Sequence, residues 1–125
     1  MSDPIVFISH STLKEGKLEA FGELSEDVFS VMEAEKPGTV LHYGYVNEEA
    51  TELHFVHVFP DADAMDAHMV GAAERVGKAD EFIETFAFEI YGAPNEETLT
   101  RLRQTPGVDL AVNPVGFGGY IRLGV

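Results

Sequence analysis

Residues 51–70, TELHFVHVFPDADAMDAHMV, decide the fold. From Glu52 to Phe59 the residues are β-branched, aromatic or aliphatic, with two histidines among them, which is the composition of a strand. Pro60 ends the run by removing a ladder donor. Asp61 is placed to cap a helix, because its carboxylate can accept from the free N–H groups of a first turn, and Asp63 adds negative charge where the helix dipole favours it. Ala64, Met65, His68, Met69 and Ala72 then share one stripe of that helix. A strand running straight into an amphipathic helix is a unit of an α/β or α+β domain. This one carries two candidate site residues, His57 and His68.

Upstream, residues 39–46 form a second extended run, and the polar residues 47–50 join it to the strand at 52–59 as a hairpin. Residues 14 to about 36 are helical, with Leu18, Phe21, Val28 and Met32 marking the buried face and Pro37-Gly38 as the stop signal. Residues 5–10 are a first strand, with Ile5, Phe7 and Ser9 on one face and Val6, Ile8 and His10 on the other. Downstream, the second helix is expected to run from 62 to about 76, with Gly77 interrupting it and 78–85 adding a turn or two. Residues 86–92 are a fourth strand with Phe86, Phe88 and Ile90 on one face and Ala87, Glu89 and Tyr91 on the other. The order is β-α-β-β-α-β, an α+β domain of ferredoxin-like type with an antiparallel sheet over residues 1–92. Residues 93–125 form an extension: a short helix to about Gln104, then extended candidates at 108–112 and 118–123. It is expected to pack on the same domain or on a partner.

The bulk composition excludes several classes. At 125 residues the chain is one domain. Its 22 acidic against 8 basic residues give a net charge of −14, which repels phosphate backbones and anionic membrane surfaces. No run of about 18 apolar residues marks a membrane span, and residues 1–11 lack the basic start of a signal peptide. A cytoplasmic protein is expected. The absence of cysteine rules out disulfides, thiolate nucleophiles and Cys-ligated metal sites.

Pro37-Gly38, the hairpin, His57-Val58-Phe59, Asp61 and Ala64-Met65-Asp66-Ala67-His68 together resemble the antibiotic-biosynthesis-monooxygenase-like group of dimeric α/β barrels, over roughly residues 4–92. The family's frequent Glu and Trp on the third strand are His57 and Phe59 here, and the second helix histidine of haem-degrading relatives is replaced near Lys78, which disfavours haem. The resemblance implies a homodimer in which two sheets pack face to face. Apolar residues on both faces of nearly every strand point the same way. It also implies cofactor-independent oxygenase chemistry on a small hydrophobic or aromatic compound, in which a polar group takes a proton and the substrate anion reduces dioxygen. The alternative is a non-catalytic dimer of the same fold that binds a small molecule or has a structural role.

Five histidines, at 10, 42, 54, 57 and 68, are many for this length. His54 and His57, three apart on a strand, point to opposite faces, and the register that would set His42 beside His57 is uncertain by one residue. No closed set of three metal ligands can be argued, so no metal and no other cofactor is expected. His57 is expected to share the barrel-cavity face with Leu53, Phe55 and Phe59 and to act as base, with Tyr43, His68 or Glu89 orienting and Tyr91 adding a hydrogen bond. The catalytic candidates are thus His57 and His68, and the substrate-binding candidates Tyr43, Phe55, Phe59, Glu89 and Tyr91. Against these roles stand a core histidine at 57, a partly exposed or dimer-contact histidine at 68, a solvated edge charge at Glu89, and aromatic residues that only pack.

Overall fold

The computed structural model describes residues 3–124, so Met1 and Ser2 of the N-terminal stretch lie outside it. The elements are β1 (Ile5–Leu13), α1 (Leu18–Glu35), β2 (Leu41–Val46), β3 (Glu52–Phe59), α2 (Ala62–Met69), α3 (Ala72–Ala79), β4 (Ile83–Tyr91), α4 (Glu96–Arg103) and β5 (Asp109–Asn113). One sheet of order β2-β3-β1-β4-β5 runs through the molecule, antiparallel except for the parallel pair β4–β5. The first four strands make the ferredoxin-like core, and the extension adds β5 at its edge.

Where local chemistry is decisive, the elements follow it. The Asp61 carboxylate accepts from the Ala64 N–H at 2.8 Å and starts α2 two residues after β3 ends. In the hairpin, Asn47 Oδ1 accepts from the Thr51 and Glu52 N–H groups, and Ala50 takes a left-handed φ of 57°. The expected second helix is broken earlier than its apolar stripe suggests. Gly71, at φ 84°, ends one helix and opens the next, so α2 and α3 are separate and Gly77 lies inside α3 without stopping it. Residues 83–85, expected to be helical, belong to β4.

A bulge in β4 changes its faces. His10 pairs with Ala87 and Ser11 with Thr85, which leaves Phe86 as an extra residue. Phe88, Ile90, Thr85 and Ile83 consequently sit on the face that carries Phe7, Ser9, Ser11 and Leu13 of β1, while Phe86 is exposed beside His10 on the other. The grouping of Phe86 with Phe88 and Ile90 is thereby corrected.

The helices cover one face of the sheet. Ile5, Phe7, Phe59, Ile90, Met65 and Leu102 form the main core, and Leu13, Phe21, Leu53 and Ile83 a second one. Leu102 brings α4 into the main core, and Asn95 and Thr98 donate to the carboxylates of Asp63 and Asp66 on α2. Within the extension, α4 thus packs against α2 and the main core, and β5 pairs with β4. Residues 118–123 form no strand, and Phe117 and Tyr120 are exposed. Of α1 only Phe21 and Met32 are buried. That helix stands off the sheet and leaves a cavity beneath it.

Candidate functional site

The cavity has a volume of about 770 Å³ and lies between the sheet and the helices of one chain. Its walls are mostly apolar, with Leu24, Val28 and Phe29 from α1, Phe55 from β3, Ala79 from α3 and Leu102 from α4. A second opening of about 740 Å³ runs between α1 and β2, and the two share Phe21, Ser25, Phe29, His42, Phe55 and His68. A drug-sized ligand fits such a volume.

Three histidines form its polar end. His42 and His57 are direct partners on β2 and β3, so they project to the same face, and His68 reaches them from α2. The His42 and His57 rings stack with centroids 4.5 Å apart, and His68 meets each edge-on at 5.1 Å. His57 is 7% exposed and His68 3%. Gly44 makes room for this arrangement: a Cβ there would lie 2.9 Å from the Phe55 ring, which instead crosses β2 and packs edge-on to Phe21, Phe29 and His42.

Hydrogen bonds define the tautomers in part. His57 Nδ1 lies 2.9 Å from the Phe7 carbonyl oxygen. A carbonyl only accepts, so Nδ1 carries the proton and the Nε2 lone pair is left free. His68 Nδ1 pairs with the Thr39 hydroxyl at 2.8 Å. His42 Nδ1 is buried with no partner among the described residues.

All three rings are held neutral. Burial, then the charge of Arg75, lowers the His42 pKa from 6.5 to about 4. Burial, then neighbouring His42, lowers His57 to about 3, against the raising effect of its bond to Phe7. Burial, then His57 and His42, lowers His68 to about 2. Arg75 is fixed near them by donating to the His68 carbonyl at 2.7 Å and the Val70 carbonyl at 2.9 Å.

The sheet divides the residues singled out in the sequence. His57, His68 and Phe55 border the cavity, whereas Phe59 is fully buried in the core next to the His57 and His68 rings. Tyr43, Glu89 and Tyr91 are on the opposite face of the sheet. There Tyr91 donates to Glu89 at 2.8 Å, Glu89 pairs with His10, and His10 pairs with His54. Those bonds, the Tyr91 hydroxyl first and His10 second, hold the Glu89 carboxyl below its ordinary value. Three of the five expected substrate contacts therefore cannot line the cavity that His57 faces in one chain. His57 itself points under the helices, away from the uncovered face where a face-to-face barrel would form, and His68 is buried rather than partly exposed. His42, Thr39 and Arg75 were not among the expected site residues. Only the 42–57 register, one residue of loop parity, pointed to His42.

No family model and no curated protein matches the sequence. Solved structures do. MupZ from Pseudomonas fluorescens superposes with a TM-score of 0.68 at 22% identity, over 94% of this chain and 96% of that one. SnoaB, a cofactor-independent oxygenase from Streptomyces nogalater, gives 0.59 at 16% identity, over 75% of this chain and 96% of its own. A Bacteroides thetaiotaomicron protein, named as a proposed antibiotic biosynthesis monooxygenase, gives 0.58 at 14%, over 70% of this chain and 85% of that one. The chain has the antibiotic-biosynthesis-monooxygenase fold. Within that fold the 94% coverage by MupZ reaches most of the 33 residues after Gly92, so the extension, whose α4 closes one cavity wall, is part of the likeness to MupZ.

Proposed function

We propose that the protein is a cofactor-independent monooxygenase acting on a small hydrophobic, aromatic compound with an acidic C–H or O–H group. The observation that carries the reading is His57 in the wall of a largely apolar cavity, its Nδ1–H bonded to the Phe7 carbonyl so that Nε2 carries the free lone pair, with His42, His68 and Arg75 beside it. For a substrate methylene, the C–H proton passes to Nε2, and the carbanion's electron pair reduces dioxygen and forms a C–O bond. The O–O bond then breaks, leaving a carbonyl on the substrate and one oxygen as water. Burial keeps His57 neutral and able to accept. An imidazolium formed there is paired with the substrate anion, and Arg75 adds fixed positive charge on that side. SnoaB, a cofactor-independent oxygenase with the same fold, supports this class of reaction.

The experiment is oxygen uptake against a panel of enolisable aromatic compounds. The wild-type chain turns over at least one, and His57→Gln loses about 10²–10⁴-fold in kcat while keeping its folded spectrum. Full activity in His57→Gln removes the base from this residue.

A non-catalytic binding protein is the second reading, favoured by the low His57 pKa of about 3, which makes the ring a weak base until a charged partner arrives. In that case ligands bind without oxygen uptake. We further propose a homodimer through the uncovered sheet face, where Val6, Ile8, Val56 and Val58 are only half-buried and Tyr43, Tyr45, Phe86 and Tyr91 are exposed.

A further inference from the structure

We propose that His42, His57 and His68 form a binding site for one divalent transition-metal ion of the zinc and cobalt type. They are the one group of three metal-competent side chains among the described residues, and one ligand atom from each lies within 4.8 Å of the other two. The rings arrive from three different elements, β2, β3 and α2, with His42 and His57 stacked and His68 edge-on to both, so one ion would need the stacked pair to turn toward it.

The outer partners have the form such ligands need. A metal-bound imidazole commonly donates its other N–H to a carbonyl or hydroxyl, which fixes the ring and raises its basicity. His57 does so to Phe7, and His68 is paired with Thr39, so in both the Nε2 is left for the ion. The buried His42 Nδ1 has no partner among the described residues, a condition that an ion or a ligand at this point would relieve. Imidazole nitrogen without carboxylate suits zinc, cobalt, copper, nickel or ferrous iron and excludes magnesium and calcium.

The geometry is open and needs contraction. With metal–nitrogen bonds of about 2.0–2.1 Å, a tetrahedral ion sets its nitrogens about 3.3 Å apart, so each ring nitrogen moves in by less than about 1 Å. The fourth position faces the cavity, where an anionic group of a bound molecule would complete the shell. Arg75 opposes the ion's charge, and the chain's net −14 favours it at longer range. The His57 nitrogen cannot hold a metal and accept a proton at once. Metal binding and proton transfer to His57 therefore exclude each other, and the ion inhibits the reaction proposed above.

The test is titration of the purified full chain with Co²⁺ alone, read by its visible absorption, and with Zn²⁺ alone, read by calorimetry. One ion per chain is expected, with Zn²⁺ displacing the cobalt band. His42→Gln, His57→Gln and His68→Gln each weaken binding at least tenfold, and the double variant His10→Gln, His54→Gln on the other sheet face binds as wild type. X-ray absorption of the wild-type complex, which needs no variant, counts three imidazole nitrogens. Absence of saturable one-to-one binding, a shell without three imidazoles, or loss of binding in the His10, His54 variant overturns the site. Because these readouts report binding and not turnover, the site can stand if the oxygenase reading fails, and the reverse.

Discussion

The three buried histidines make stability fall with acid in a way that can be worked out one ring at a time. Each has a folded pKa below its ordinary 6.5, so the unfolded chain binds more protons once the pH drops below 6.5. The stability that goes with a neutral ring is thus fully present above pH 6.5 and is lost as the pH falls toward the folded values of about 4, 3 and 2. For His57 the loss between pH 7.5 and pH 5 is about 2 kcal/mol, and the three together lose about 6 kcal/mol, comparable with the whole stability of a small domain. The assay is urea unfolding of wild type and His57→Gln at pH 7.5, 6 and 5. The acidic residues, common to both chains, cancel in the difference. The stability gap between the two chains should move by about 2 kcal/mol toward the variant on going from pH 7.5 to pH 5. Parallel curves, with a gap that changes by less than about 0.5 kcal/mol, would mean that His57 protonates as easily folded as unfolded, and the buried neutral cluster would be refuted.

Two further outcomes probe the frame around the site. Gly92 has φ 104°, and a Cβ there would lie 2.7 Å from the Pro4 carbonyl oxygen, whereas Gly77 inside α3 has open space around it. In thermal unfolding, Gly92→Ala should lose about 2 kcal/mol or more and Gly77→Ala gain about 0.5–1 kcal/mol, and equal effects would contradict the backbone assigned to them. For the proposed dimer, Val56→Lys places a charge at the centre of the uncovered face, between Ile8 and Tyr43, and light scattering should show the wild-type dimer become a monomer. A monomeric wild type, or a variant that stays dimeric, would remove that interface.

The sequence and the structure agree where structure is made locally. Pro60 and Asp61 punctuate the strand and helix within two residues, and β3 spans the expected Glu52–Phe59. They part at Gly71 and Gly77. Both look alike in one dimension, and only the first takes a left-handed φ that turns the chain. They part again at Phe86, because a bulge is a property of two paired strands and not of either one. His68 shows the same limit: its place in the α2 stripe did not reveal that two strand histidines and Phe59 would close over it.

By itself, the sequence determined the β-α-β-β-α-β order, the acidic surface and a strand–helix unit with a histidine on each element. Tertiary structure alone decided which strand face the helices cover, that α1 stands off to leave a cavity, and that His42, His57 and His68 meet at its end while Tyr43, Glu89 and Tyr91 meet on the far side. The physical reason is the two-residue period of a strand. Alternation marks two faces but does not say which is which, and a shift of one residue in a hairpin or a bulge carries a side chain from one face to the other.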